Sequence, residues 1–193
     1  MNILVQEGTF YRLTLETHKE EIGEPGATLV FGGRFNSPGL FRTLYLGASE
    51  QGCFDEMRVR VGGDLRRVKP LVLGVFHVRL GKILDLTDSD IVKVVLKGQV
   101  ADQKALTVPG DYKITHRLGA VAYKRGFEGI LFYSPVNLKN KNLAVFLDRL
   151  SPNSFVKKLS TRKVNIGCQP LAASDASFGR APEQVWQKVY QVI

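Results

Sequence analysis

Residues 32–57 read GGRFNSPGLFRTLYLGASEQGCFDEM and carry three signals of local structure in one short span. A glycine-bounded loop holds Arg34, a tetrad with strand character holds Tyr45, and a helix-forming segment after Gly47 holds Glu56. Arginine offers a planar fork for phosphate or carboxylate, tyrosine an aromatic face with a polar tip, and glutamate a base or a stabiliser of positive charge. The stretch therefore predicts a junction of loop, strand and helix that binds an anionic ligand with a ring.

The composition of the chain indicates one globular domain over residues 1–193. Of its 193 residues, 44% are hydrophobic and 23% are charged, which is ordinary for a folded domain of this length. The formal net charge of +9 favours an acidic partner, either a nucleic acid or a phosphorylated small molecule. Basic residues that only solvate the surface would give the same balance, so charge alone leaves these alternatives open.

Targeting signals are not visible in the sequence. Residues 1–7 lack a basic segment followed by an apolar block and a cleavage site, and no apolar run approaches the roughly 20 residues of a membrane span. Cys53 and Cys168 are too few for a disulfide framework and suit a reducing compartment as thiols. We therefore expect a cytoplasmic protein that does not enter a membrane.

Hydrophobic periodicity predicts an α+β fold, with a central sheet and flanking helices. Predicted strands lie at residues 10–15, 44–46, 71–80, 82–86, 129–135 and 143–147. Predicted helices begin after Ser49, at Thr87 as N-cap and at Tyr112, and they end near Gly62, Gly98 and Gly126. In the first strand, Arg12 should lie on the face opposite Tyr11 and Leu13.

Two regions lie outside this predicted framework. Residues 18–26 are charged and contain glycine and proline, so they predict a loop that leads to the apolar run at 29–31. After Leu150 the composition turns polar, with a basic patch at 157–163, until an amphipathic helix opens at Ala181. We expect that helix to dock on the core of its own chain or on a partner.

Each candidate site residue also has an ordinary structural role to weigh. Arg34 could form a loop salt bridge, Tyr45 could be a core tyrosine, and Glu56 precedes Arg60 by four residues, the favoured spacing of an exposed ion pair. Ser134 follows a predicted buried strand without a Gly-x-Ser-x-Gly elbow, so it reads as a hydrogen-bonding group rather than a nucleophile. Taken one at a time, these residues do not define a function.

A metal site is not expected from the sequence. His18, His77 and His116 are scattered, without paired histidine spacing or a Cys-x-x-Cys pair. Cys53, within the predicted helix, should pack as a small hydrophobic residue.

Taken together and in chain order, five segments resemble the RES-domain family, and the resemblance spans residues 10–150. These segments are Tyr11-Arg12-Leu13, Phe31-Gly32-Gly33-Arg34-Phe35-Asn36-Ser37-Pro38-Gly39, Leu44-Tyr45-Leu46, Cys53-Phe54-Asp55-Glu56 and Gly129-Ile130-Leu131-Phe132-Tyr133-Ser134. They include the Arg, Glu and Ser that give the family its name. Residues 151–193 would then form a C-terminal extension of a single catalytic domain.

The resemblance implies an enzyme with a fold like that of ADP-ribosyltransferases and with NAD as its substrate. Such a protein would be the toxin of a toxin–antitoxin pair, cleaving the bond between nicotinamide and ribose and depleting cellular NAD. It would form a hetero-oligomeric complex with an Xre-type antitoxin and would contact DNA only through that partner. The acceptor of ADP-ribose stays open between water, phosphate and a protein side chain. A protein-modifying ADP-ribosyltransferase and a basic nucleic-acid-binding module remain the alternatives.

The resemblance also implies roles for individual residues. Arg12 and Arg34 would hold the phosphates and ribose, Tyr45 would pack on the nicotinamide side, Glu56 would act at the ribose, and Ser134 would hydrogen-bond the substrate. The predicted NAD-binding set further includes Gly33, Phe35 and Asn36 of the loop. Phe35 stands where the family often has tryptophan, and we expect it to keep a stacking face while losing the indole donor.

Overall fold

The computed structural model describes residues 4–65, 70–96, 106–108 and 111–164. Its strands are β1 (Leu4–Leu15), β2 (Leu44–Gly47), β3 (Leu71–Asp85), β4 (Gly129–Tyr133), β5 (Lys141–Val145) and β6 (Phe155–Val164). Its α-helices are α1 (Gly26–Phe31), α2 (Glu50–Arg60), α3 (Ser89–Val95) and α4 (Lys113–Lys124), with short 3-10 helices at Glu16–His18 and Leu147–Arg149. The predicted α+β fold is confirmed.

The six strands form one mixed sheet that closes on itself. The strand order is β1-β2-β5-β4-β3-β6, and β1 also pairs with β3 along most of its length. Among the described strands, only the pairing of β3 with β4 is parallel, and β1 pairs with β2 at one position, where Tyr11 lies opposite Gly47. The resulting circuit of five strands, with β6 added on β3, brings the ends of β2, β4 and β5 beside α2.

Strand alternation sorts the core into layers. Leu44 and Leu46 of β2 lie in a cluster with β3 and β5 residues, whereas Tyr45 packs on the opposite face against the cluster that α3 and α4 cover. A third cluster joins Phe54 and Met57 of α2 to the apolar face of β1 and β3. The strand predicted at 44–46 is therefore confirmed, and its alternation places Tyr45 on the side where the glycine loop lies.

The structure corrects two sequence-based boundaries. The strands predicted at 71–80 and 82–86 are one continuous strand, because β3 runs on through Gly81 as its edge partner changes from β6 to β4. The helix predicted to begin at Thr87 is capped instead by Asp88, whose carboxylate accepts from the N–H groups of Asp90 and Ile91. Thr87 is held by hydrogen bonds to Asp85.

Other predicted segments have mixed outcomes. The helix predicted from Tyr112 is confirmed as α4. It ends at Lys124, shortly before Gly126, whose φ is 70°. The basic patch at 157–163 lies within β6, a strand that the sequence did not indicate, and the apolar run at 29–31 lies in α1. Gly98, Cys168 and the helix predicted from Ala181 lie outside the described residues. None of the helices described is long and apolar enough to cross a membrane.

A buried carboxylate holds β3 where its edge partner changes. Glu128 is only 3% exposed and accepts hydrogen bonds from Gly81 N (2.6 Å), Ser154 Oγ (2.7 Å) and Ser151 N (3.0 Å). Burial acts to raise the pKa of Glu128, but the hydrogen bonds from Ser151, Ser154 and Gly81 outweigh it, so the pKa is lowered. The ionised carboxylate therefore accepts the N–H of Gly81, which also donates to Ser154 Oγ (3.1 Å).

We expect Glu128→Gln to lower the free energy of unfolding by about 2 kcal/mol at pH 7, because an amide donor replaces an acceptor among three donors. The folded pKa is lowered, so the contribution of Glu128 is present above the unfolded carboxyl pKa of about 4.3 and is lost as the pH falls through the folded pKa. Urea denaturation should therefore show the difference between wild type and variant shrinking below a pH of about 4.

Glu24→Gln, which removes the same charge from an exposed side chain, is the control and should change stability by less than about 0.5 kcal/mol. Equal effects of the two substitutions would contradict the role given to Glu128.

Candidate functional site

The loop after α1 is built so that only glycine fits at two positions. Gly32 ends the helix with a φ of 74°, a conformation that favours glycine. A Cβ on Gly33 would lie 2.6 Å from the ring of Tyr45, so the loop backbone packs directly on that ring. A hydrogen bond from Gly33 N to Asn36 O (2.9 Å) closes the turn that presents Arg34.

The hydroxyl of Tyr45 fastens this turn to the sheet. It accepts a hydrogen bond from Phe35 N (2.8 Å) and donates one to Asn36 Oδ1 (2.9 Å), while Asn36 Nδ2 donates to Thr28 O (2.7 Å) and Phe41 O (3.2 Å). Burial raises the pKa of Tyr45 well above its usual value, so the hydroxyl keeps its proton. Tyr45 thus has a structural role in addition to the predicted contact with nicotinamide.

Two of the predicted NAD-binding side chains are corrected by the structure. Phe35 is fully buried, with its ring edge-on to Phe132 at 4.7 Å between centroids, so it has no face on which a ligand could stack. The amide of Asn36 is also fully buried and hydrogen-bonded within the protein. Both side chains shape the loop, and only their backbone remains as a means of contacting a ligand.

Arg34 leaves the turn toward α4 and is half-buried. Its Nη1 donates to Leu106 O (2.8 Å), and its guanidinium lies over the ring of Tyr112, 5.1 Å from the centroid. Burial lowers the pKa of Arg34, whereas Tyr112, Glu56 and Tyr45 act to raise it. Glu56 is thus close enough for its charge to act on Arg34, which places the two residues in the same region.

Glu56 is held by one of its two carboxylate oxygens. Oε1 accepts hydrogen bonds from Ser134 Oγ (2.6 Å) and Asn142 Nδ2 (2.5 Å), two residues far from it in sequence. Within the described parts of the chain, Oε2 accepts no hydrogen bond and Glu56 forms no ion pair with Arg60. The exposed ion pair considered for Glu56 is thus replaced by a fixed carboxylate with one oxygen unengaged.

Local sequence explains where these partners stand. Ser49 caps α2 by accepting from Gly52 N (3.0 Å), which fixes the helix that carries Glu56. Ser134 directly follows β4 and is 1% exposed, and Asn142 lies in β5. Asn142 was not among the predicted site residues because the strand was predicted to begin only at residue 143, whereas β5 already begins at Lys141.

Arg12 stands apart from this cluster. It lies on the predicted face of β1, but its Nη1 donates to the backbone oxygens of Ile22 and Glu24, both at 3.2 Å. Burial and the charge of Arg60 lower the pKa of Arg12 to about 10. The structure therefore joins Glu56, Ser134, Arg34 and Tyr45 in one region, while a role of Arg12 toward phosphate stays a prediction.

Cys53 and a concavity beside β6 lie outside this chemistry. Burial, together with the charge of Glu56, raises the pKa of Cys53 to about 12, so its thiol packs as a neutral group, as predicted. A concavity is formed by β6 and residues 16–20, where Lys163 pairs with Glu16 at 2.6 Å. In the described residues, no group of three or more His, Cys, Asp and Glu side chains could hold a metal ion.

Fold and site together define a mixed α/β domain in which a carboxylate held by two hydrogen bonds lies in the same region as an arginine on a glycine loop. The sequence profile of the RES domain matches residues 9–162 of this chain. The chain therefore belongs to the RES-domain family. The matched range includes β6, so it extends beyond the limit of residue 150 that the sequence motifs indicated.

A solved structure supports the same fold. The chain is similar to one in the crystal structure of the M. tuberculosis MbcT–MbcA toxin–antitoxin complex, with a TM-score of 0.65 and 21% sequence identity. The similarity covers 84% of this chain and 86% of the other. Among curated proteins, no sequence matches this chain.

We expect Tyr45→Phe to lower the free energy of unfolding by about 2 kcal/mol, because the buried groups Phe35 N and Asn36 Oδ1 would lose the hydroxyl that satisfies them. Urea denaturation measures the change. Tyr133→Phe is the matched control, since in the described structure its hydroxyl forms no hydrogen bond, and it should alter stability by less than about 0.5 kcal/mol. If Tyr45→Phe were as mild as the control, the fastening role of the hydroxyl would be wrong.

Proposed function

We propose that this protein is a toxin that cleaves NAD at the bond between nicotinamide and ribose, as an NAD glycohydrolase or phosphorylase. Membership of the RES-domain family and the fold of a toxin–antitoxin structure support the proposal. The observation that carries it is the arrangement of Glu56, in which Ser134 and Asn142 hold Oε1 and no described residue engages Oε2. A carboxylate fixed in this way is prepared to face a substrate.

The reaction needs that carboxylate at the ribose. Breaking the C–N bond to nicotinamide develops oxocarbenium character on the sugar, and a negative oxygen placed beside it stabilises that charge. Ser134 and Asn142 direct Oε2 of Glu56 and prevent the side chain from rotating away. Nicotinamide leaves as a neutral molecule, so the departure requires no general acid.

The glycine loop and Arg34 would bind the anionic part of the substrate. Arg34 uses only Nη1 for its hydrogen bonds to the backbone of the described residues, so its other N–H groups remain to meet a pyrophosphate. The half-buried position strengthens such an interaction, because solvent screens it less than on an open surface. Tyr45 would lie on the nicotinamide side and Arg12 would add a second positive charge, as the family resemblance implies.

We further propose that the toxin acts in the cytoplasm and is neutralised by an Xre-type antitoxin, through which alone it contacts DNA. The similar M. tuberculosis structure is that of a toxin–antitoxin complex, which supports an antitoxin as partner. The basic residues of β6 give little support to direct nucleic-acid binding, because Arg162 pairs with Glu50 and Lys163 pairs with Glu16. Transfer of ADP-ribose to a protein side chain is the second candidate, since the site leaves the acceptor open.

The proposal predicts that purified protein, freed of its partner, releases nicotinamide from NAD. Glu56→Gln should lower kcat by about 100-fold or more, because a neutral amide cannot stabilise a developing positive charge. Glu50→Gln removes a charge from the exposed start of the same helix and should stay within about twofold of wild type. Chromatography of the products with and without phosphate separates a phosphorylase from a glycohydrolase, and label left on protein identifies a transferase.

Two results would overturn this function. The first is a wild-type protein that releases no nicotinamide under any of these conditions. The second is a Glu56→Gln variant that is as active as wild type.

A further inference from the structure

One face of α4 holds the loop that carries Arg34. Tyr112 immediately precedes the helix, His116 follows one turn later and Gly119 about one turn after that, so the three share one side of it. Each of them meets a different residue of the stretch 33–35. Neither the predicted site nor the family resemblance included any residue of α4.

The closest of these contacts is between helix and loop backbone. A Cβ on Gly119 would lie 1.7 Å from the carbonyl oxygen of Phe35, so the absence of a side chain lets the loop lie directly on the helix. The register of loop and helix is therefore fixed by sterics at this end.

His116 adds a hydrogen bond at the start of the same stretch. Its Nε2 lies 2.8 Å from the carbonyl oxygen of Gly33, and because a carbonyl can only accept, Nε2 must carry the hydrogen. The imidazole ring also lies against the ring of Tyr112, with 5.6 Å between centroids. His116 thus joins the backbone that precedes Arg34 to the ring that lies under its guanidinium.

Tyr112 completes the support. The Arg34 guanidinium lies over its ring at 5.1 Å, a cation–π contact that restricts the arginine side chain without using its remaining N–H groups. The backbone directly before Arg34 is consequently held by His116 of α4, and the Arg34 side chain is held by Tyr112, the residue that precedes this helix.

We propose that His116 and Tyr112 are positioning residues for Arg34, which preorganise it to bind the pyrophosphate of the substrate. The identity of the substrate in this inference rests on the proposed function. The positioning of the loop rests only on the contacts described above. Preorganisation acts equally on substrate and transition state, so its loss should raise KM and leave kcat nearly unchanged.

The test compares His116→Leu, which removes the donor, with His116→Gln, whose amide can still donate near the place of Nε2. His77→Leu is the matched control, because His77 lies on β3 beside Glu7 and away from the loop. Tyr112→Leu and Tyr112→Phe form a second pair that removes or keeps the ring. All variants are made in the full chain and measured by nicotinamide-release kinetics and by hydrogen–deuterium exchange of peptides that contain residues 33–36.

We expect His116→Leu and Tyr112→Leu to raise KM for NAD by about fivefold to tenfold, the effect of one lost hydrogen bond or cation–π contact. Exchange at the amides of Gly33 and Phe35, which are hydrogen-bonded in the folded loop, should quicken in the same variants. His116→Gln, Tyr112→Phe and His77→Leu should stay close to wild type in both measurements.

Unchanged exchange of the loop in both leucine variants would overturn the proposal whatever the activity. So would a fall in kcat with no change in KM. If the wild-type protein released no nicotinamide while exchange still rose in the leucine variants, the proposed function would fail and the positioning of Arg34 by α4 would stand.

Discussion

The hydroxyl of Tyr45 joins the glycine loop to strand β2 through two hydrogen bonds. It receives the N–H of Phe35 and supplies a hydrogen to Asn36, and its ring lies where any side chain on Gly33 would collide. Burial keeps the hydroxyl protonated, so the link holds throughout the range in which a free tyrosine would begin to ionise. Although Arg34 lies in a loop, these contacts restrict the backbone conformation of the turn that carries it.

The second part of the site depends on the closed circuit of strands. Because β4 and β5 are antiparallel neighbours and β5 pairs with β2, Ser134 and Asn142 arrive together beside the helix that follows β2. Both donate to the same oxygen of Glu56. Long-range strand pairing therefore determines how the Glu56 carboxylate is oriented, with two donors on Oε1 and none from the described residues on Oε2.

Features that depend on neighbouring residues could be predicted from the sequence, whereas contacts between residues far apart in the chain could not. The strand around Tyr45 and the start of the helix after Ser49 could be predicted because both follow from neighbouring residues. Glu56 and Ser134 were found through motifs, but Asn142 was not, since its contact with Glu56 spans 86 residues and it lies next to lysines typical of a turn. Phe35 was misjudged because an aromatic residue in a glycine-rich loop looks exposed until the packing of α4 against the loop is known.

We propose that Arg34 binds the pyrophosphate and that Glu56 faces the nicotinamide-side ribose of one NAD molecule. The most direct test is a crystal structure of the full chain with ADP-ribose, the part of NAD that remains after nicotinamide has left. We predict pyrophosphate oxygens at the Arg34 guanidinium and the terminal ribose carbon facing Oε2 of Glu56, with Ser134 and Asn142 still on Oε1. ADP-ribose bound instead in the basic concavity beside β6, with no contact to Arg34 or Glu56, would contradict the account.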